Sequence, residues 1–428
     1  MAQSDTAEGN FLKDVQPYEV GDFSQSYFEY ACRQARDFVC LPRGVLCKSF
    51  MANKLKLIRT STVPTSLKTF LAGSIEPLMS RYDLVLVSSP DKELDELREQ
   101  YGVKTIGVRM ERRMSPLKDI VSLWRLIGVF RRERPYMVHS MTPKAGLLCM
   151  LAAWMTRVPR RVHTFTGLVW PTATGLSRRI LMFTDWLTCA CATHIIPEGR
   201  GVMNDLQQHI TRKPMRVLGY GNVRGVDMDY WSRDNADAEL VRSLRRENTF
   251  TFVFVGRIVR DKGINELMEA FLRVREEHNV RLVLVGRFED SLDPISDESR
   301  KTIKECDDIV YAGSQFGRDL LAYYAAADCF VFPSYREGFP NTVLEAGAMG
   351  LPSIVTDING SREIIENGKN GIIVPSKDAD ALAEAMSRMV EDTDMQHLMV
   401  RNARPMIASR FEQGFVRKCQ MDFYDEIV

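Results

Sequence analysis

Tyr335-Arg-Glu-Gly-Phe-Pro-Asn-Thr-Val-Leu-Glu-Ala-Gly-Ala-Met-Gly-Leu-Pro352 follows an apolar run, Cys329-Phe-Val-Phe-Pro333, that reads as a buried strand. Two carboxylates, Glu337 and Glu345, lie eight positions apart in it, and Gly338, Pro340 and Asn341 between them force a loop. Asn341 is a good helix N-cap, and Thr342 to Met349 has helical composition. Glu337 is therefore expected in a loop at the carboxyl end of a strand, and Glu345 in the first turns of the next helix. Backbone N–H groups between them would converge on one spot. A helix N-terminus attracts phosphate, and carboxylates accept hydrogen bonds from sugar hydroxyls, so the segment suits a polyhydroxylated anion.

Outward from this segment the chain alternates strand and helix. In the carboxyl-terminal half the expected strands are Thr249–Gly256, Arg281–Gly286, Ile309–Gly313, Cys329–Pro333, Pro352–Thr356 and Gly371–Pro375, with a helical tail from Ala379. In the amino-terminal half they are Lys54–Arg59, Tyr82–Ser88, Val103–Val108, Tyr136–Ser140, Arg161–Phe165, Thr193–Pro197 and Pro214–Leu218, with helices expected over Leu67–Arg81, Asp91–Tyr101, Leu117–Glu133, Lys144–Met155 and Leu176–Ala192. Such alternation implies α/β domains with parallel sheets covered by helices on both faces. A chain of 428 residues exceeds one ordinary core. We expect one Rossmann-like domain over 51–225, a second over 226–408, and a terminal helix over 409–428. The glycine-rich stretch Gly219 to Asp227 reads as the hinge. Residues 1–50 fit no strand–helix pattern. They are an appendage, partly disordered, or they precede a true start at Met51.

Charge is uneven. Residues 51–225 hold 27 Lys+Arg against 13 Asp+Glu, while 226–428 hold 25 against 36. A basic half suits an anionic partner such as a membrane surface, a lipid phosphate or a nucleic acid. Nine cysteines without Cys-x-x-Cys spacing argue for a reducing compartment and against structural zinc. The polar, acidic start does not read as a signal peptide, and no apolar run is long enough to span a bilayer. The expected location is cytoplasmic, free or peripheral on the cytoplasmic face of the membrane. Arg157, Arg160, Arg161, Arg178 and Arg179 surround the apolar Ile180-Leu-Met-Phe183, with Trp154, Trp170 and Trp186 nearby, a composition suited to a headgroup layer.

A second constellation, Val255-Gly-Arg-Ile-Val-Arg-Asp-Lys-Gly-Ile264, follows a buried strand and opens onto a helix. Arg257 offers a fork of donors and Lys262 a point charge, a pair suited to a diphosphate. A dinucleotide oxidoreductase is excluded, since no strand is followed by Gly-x-Gly-x-x-Gly.

Together, Gly256-Arg257 with Lys262-Gly263, Glu337-Gly-Phe339 with Glu345-Ala346, and Gly350-Leu-Pro-Ser-Ile-Val355 resemble the retaining nucleotide-sugar glycosyltransferases of the GT4 group. His139-Ser-Met-Thr-Pro-Lys-Ala-Gly146, Gly225-Val-Asp227 and Gly360-Ser-Arg-Glu363 extend the resemblance over nearly all of 54–425, most closely to bacterial enzymes of capsule, O-antigen or exopolysaccharide synthesis. The resemblance implies a GT-B fold: two doubly wound Rossmann-like domains facing a central cleft, with a carboxyl-terminal helix crossing back to the first. It implies transfer of a hexose or N-acetylhexosamine from a nucleotide sugar, a UDP-sugar by expectation, to a polyprenyl-diphosphate-linked saccharide at the inner membrane surface. It implies no metal, no other cofactor and no nucleic-acid partner.

By the same resemblance Arg257 and Lys262 hold the donor diphosphate, Glu337 the transferred sugar and Glu345 the ribose. Gly338, Phe339, Pro340, Asn341 and Thr342 complete the diphosphate cradle, and Arg287 and Gly313 flank the base. On the acceptor side stand His139, Lys144, His163 and Thr166. The family often reads His-Thr-x-His where this chain has His163-Thr-Phe-Thr166, so Thr166 replaces a histidine that faces the reacting sugar. A threonine hydrogen-bonds a hydroxyl but is no base at neutral pH. Two rivals stand beside the transferase: a nucleotide-sugar epimerase or hydrolase of the same fold, and a non-catalytic sugar-nucleotide-binding subunit of a polysaccharide assembly complex.

Overall fold

The structure is a computed structural model that describes residues 54–111, 115–290 and 293–428. The expectations for residues 1–50 and for Met51 lie outside these. Lys54–Val428 is a single unit built on two parallel six-stranded sheets. The first holds β1 (Lys56–Thr60), β2 (Asp83–Ser88), β3 (Lys104–Gly107), β4 (Met137–Met141), β5 (Arg160–Phe165) and β6 (His194–Pro197). The second holds β7 (Phe250–Val255), β8 (Val280–Val285), β9 (Ile309–Gly313), β10 (Cys329–Phe332), β11 (Ser353–Thr356) and β12 (Gly371–Val374).

The strand orders, β3-β2-β1-β4-β5-β6 and β12-β11-β10-β7-β8-β9, are the same doubly wound order written from opposite edges. In each the strand order reverses at one crevice, between β1 and β4 in the first sheet and between β7 and β10 in the second. Open sheets of this kind bind ligands at that crevice, beyond the carboxyl ends of the strands. The inner strands explain why the sheets form. Val280–Val285 is buried at every position, as a strand covered on both faces must be. In the second core the Phe254, Phe332 and Phe330 rings stack in sequence at 5.9 and 5.8 Å. Each such side chain contributes about 1.5–3 kcal/mol by leaving water.

The terminal helix Gln413–Ile427 returns to the first sheet. Met421, Phe423, Tyr424 and Ile427 lie in the same core as Leu57, Leu84 and Val162. Tyr424 Oη accepts from Arg59 Nη1 at 2.6 Å and also bonds the His139 ring.

Three expectations are corrected. The helix over Leu67–Arg81 is two, Pro64–Phe70 and Ile75–Arg81, because Pro64 starts the first one early and the chain turns at Gly73, where φ is +67°. Pro214–Leu218 is not a strand. Proline lacks the ladder donor, and the segment's link to β6 is one bond, Arg216 N to Ile195 O at 3.1 Å. Trp170 is buried at 2% exposure and is no surface anchor, whereas Trp154 and Trp186 are exposed. No helix among the described residues is long and apolar enough to cross a membrane.

Candidate active site

The crevice of the second sheet brings the two sequence constellations together. Arg257 and Lys262 follow β7, Glu337 follows β10, and all three line one cavity of about 340 Å³. Gly338, Phe339, Pro340, Asn341 and Thr342 line it too, and Thr166 and Glu198 face them from the first domain. The Lys262 ammonium is ion-paired to Glu337 Oε1, which also accepts from Ser334 Oγ at 2.8 Å. The same ammonium sits 5.0 Å above the centre of the Phe332 ring.

Local folding fixes these side chains. Gly263 has φ +69°, and a Cβ there would lie 2.0 Å from Pro333 O, so a residue without a side chain lets the Lys262 turn sit on the end of β10. The Glu337 loop is braced on both sides. Arg336 pairs with Asp261 at 2.9 Å, and Tyr335 Oη donates to Glu266 at 2.6 Å. Gly338 meets the first domain, where an added Cβ would lie 2.2 Å from Thr166 O. Arg257 pairs with Glu289 Oε2 at 2.8 Å, and Arg287 pairs with the other oxygen at 2.9 Å.

Several expected residues stand elsewhere. Asn341 does not cap its helix: it is the first helical residue, Pro340 takes the cap position, and Asn341 Oδ1 accepts from Asn222 Nδ2 at 3.1 Å. Glu345 is buried and does not line the cavity. Its carboxylate takes Arg224 Nη1 at 2.9 Å, and burial raises its pKa against the lowering pull of that guanidinium. Arg287 and Gly313 also lie outside the cavity lining, because Glu289 draws Arg287 aside and Gly313 ends β9, the sheet's outer strand.

Neither histidine reaches the cleft. His139 is fully buried, with Nε2 2.7 Å from Thr164 Oγ1 and Nδ1 on Tyr424, and burial beside Arg59 pushes its pKa well below the ordinary value. His163 is buried under Gly146, bonds Ser140 Oγ at 2.8 Å and meets the Phe165 ring edge-on; burial lowers its pKa to about 3. Both are packing residues, since strand positions pointing into the helix layer cannot face the strand end. Lys144 is not in this cavity either; it pairs with Asp119 at 2.9 Å near the crevice of the first sheet. Of the four acceptor-side candidates, Thr166 alone lines the cleft.

The sequence reading missed Glu198, which directly follows β6 and is 3% exposed. Its pKa is raised well above the carboxylate range by burial first, then by the Glu337 and Glu363 charges. A carboxylate just past a strand's carboxyl end was the available signal. Arg224 and Glu289 were missed as well, since only the folded chain shows what their charges meet.

In sum the site offers two cations for a diphosphate, a carboxylate for hydroxyls, and a wall from a second domain that can shut out water. Residues 69–221 match the family model "Glycosyl transferase 4-like domain", and residues 236–406 match "Glycosyl transferases group 1". The capsular polysaccharide biosynthesis glycosyltransferase CapM of Staphylococcus aureus is 31% identical over 366 residues, 84% of this chain and 94% of that protein. The UDP-Gal:alpha-D-GlcNAc-diphosphoundecaprenol alpha-1,3-galactosyltransferase of Escherichia coli is 27% identical over 309 residues, 70% of this chain and 78% of that one. Among solved structures, Anabaena HepE in complex with UDP and glucose matches with a TM-score of 0.71 at 17% identity, covering 87% of this chain and all 100% of that one. At that identity the likeness speaks for the fold.

Proposed function

Because this chain belongs to the GT4-like glycosyltransferases of GT-B fold, we propose that it moves a hexose or N-acetylhexosamine from a UDP-sugar to a saccharide carried on a polyprenyl diphosphate, with retention at the anomeric carbon. The observation that carries this reading is the convergence of Arg257, Lys262 and Glu337 on one cavity at the crevice of the second sheet. The relatives' names support the acceptor class, since the E. coli enzyme acts on a diphosphoundecaprenol-linked sugar.

In this mechanism Arg257 and Lys262 hold the donor diphosphate and stabilise the negative charge that grows as the bond from C1 to phosphate oxygen breaks. Lys262 is then shared between phosphate and Glu337, whose carboxylate accepts from hydroxyls of the transferred sugar. The acceptor oxygen bonds to C1 on the face the phosphate leaves, and its proton passes to a donor phosphate oxygen. Thr166 hydrogen-bonds a sugar hydroxyl in place of a base. Glu345 stays behind the cavity wall, where its carboxylate holds Arg224. The scheme uses no metal. Exposure of Trp154, Trp186, Arg178 and Arg179 on the first domain supports work at the inner membrane face.

Lys262→Ala and Glu337→Ala are expected to lower transfer at least a thousandfold while circular dichroism and melting stay native. Full activity in both would remove the donor-site assignment. A screen of nucleotide sugars for thermal stabilisation identifies the donor, since a bound ligand raises the melting temperature.

A further inference from the structure

The first sheet has its own crevice, between β1 and β4, and it is not empty of features. Thr62, just past β1, and Thr142, just past β4, line a cavity of about 490 Å³, within the range of ligand pockets. Most of the surface it presents is apolar, with Leu147, Leu148 and Leu181 in the lining beside the polar Ser66 and Thr184. Thr142 has φ +68°, an uncommon conformation for a β-branched residue that costs on the order of 1–3 kcal/mol. Thr62 holds it there, with its N–H donating to Thr142 Oγ1 at 3.1 Å and the two hydroxyls 2.9 Å apart.

Two further observations say what such a cavity suits. Lys144 and Asp119 are part of its lining, paired at 2.9 Å and mostly screened from solvent. Pro143 and Val169 line both this cavity and the adjoining one of about 230 Å³ that contains Arg257, Lys262 and Glu337. A largely apolar chamber with an ammonium in its lining thus adjoins the transfer site. On the outside, the two helices that pack against Pro143–Met155 expose apolar stripes at helical spacing. Leu117, Ile120, Val121 and Trp124 form one; Leu176, Ile180 and Phe183 form the other. Lys118, Arg125, Arg178 and Arg179 are exposed beside them.

We propose that this cavity seats the first isoprene units of a polyprenyl diphosphate, with its phosphates drawn to Lys144 and its saccharide passing between Pro143 and Val169 toward Thr166 and Glu337. The remainder of the chain leaves past the exposed stripes into the bilayer. The assignment rests on the reading that the acceptor is lipid-linked.

Binding of farnesyl diphosphate tests the cavity apart from any transfer. In wild type it is expected to raise the melting temperature at least about 2 °C beyond the shift given by inorganic diphosphate. Leu147→Trp, which fills the chamber, brings the farnesyl diphosphate shift down to that of inorganic diphosphate. Equal shifts from the two ligands in wild type overturn the proposal, even if the variant does not fold. An undiminished farnesyl increment in a folded Leu147→Trp protein overturns it as well. The acceptor reading is tested separately, by transfer to one saccharide carried on undecaprenyl diphosphate or on ethyl diphosphate. Wild type is expected to show a KM at least tenfold lower for the first. A protein that binds farnesyl diphosphate in the chamber yet transfers to neither carrier leaves the cavity standing and sinks the lipid-linked saccharide as acceptor.

Discussion

Glu198 and Glu133 are both nearly buried glutamates, and their surroundings push them in opposite directions. Glu198 is buried and then also faces carboxylates, so the folded protein holds its proton to higher pH than the unfolded chain does. Stability from that protonated form is complete below the unfolded pKa and is lost as pH rises toward the folded one. Glu198→Gln is expected to melt close to wild type at pH 5 and above it at pH 8, in paired thermal scans; identical curves at both pH values would show that the residue is not protonated. Glu133 meets Lys104 at 2.7 Å, Lys56 at 3.1 Å and Arg132 at 3.2 Å. The Lys104 hydrogen bond leads in lowering its pKa to about 2. Its contribution is therefore present above about pH 4.5 and fades as pH falls toward 2. Glu133→Gln should cost about 1–3 kcal/mol at pH 7 in urea titrations and much less at pH 3.

At the level of elements, two glycines separate positioning from stability. Gly263→Ala would put a Cβ on Pro333 O in a left-handed conformation. It should destabilise the protein by about 1–3 kcal/mol and lower transfer by moving Lys262. Gly338→Ala clashes instead with Thr166 of the other domain, leaving each domain's own core untouched. Its expected signature is a fall in kcat of at least tenfold with the melting temperature within about 2 °C of wild type; a normal kcat would mean that the two surfaces do not stay this close during turnover. The strands were legible because runs such as Arg281-Leu-Val-Leu-Val-Gly286 are apolar without break, and the loops because cations and carboxylates follow those runs directly. Pro214–Leu218 misled because its apolar residues resemble a strand while Pro214 cannot pair like one. His139 and His163 misled because a motif gives a position on a strand but not which face that position points to. Arg224 was out of reach, since it meets Glu345 only after segments 121 residues apart have met, whereas the place of Glu198 after β6 was readable and only its partners were not.

Across the whole molecule, the two sheets repeat one topology and each crevice has its own chemistry: cations and carboxylates in the second, a largely aliphatic chamber in the first. The terminal helix ties this arrangement together at Tyr424. Among the described residues, Tyr424→Phe would leave the buried Arg59 guanidinium with Met141 Sδ, at 3.1 Å, as its remaining side-chain hydrogen-bond partner. A loss of about 1–3 kcal/mol in chemical denaturation is expected. The same helix bears on the order of events during synthesis. Tyr424 and Ile427 complete a core that begins at Leu57, so that core stays unfinished until Ile427 has left the ribosome. Domains ordinarily fold as they emerge, at roughly 5–20 residues per second. Here, for the time taken to make the second domain, the nascent first domain presents an open apolar seam, and chaperone occupancy on stalled chains should persist until that terminal segment is free.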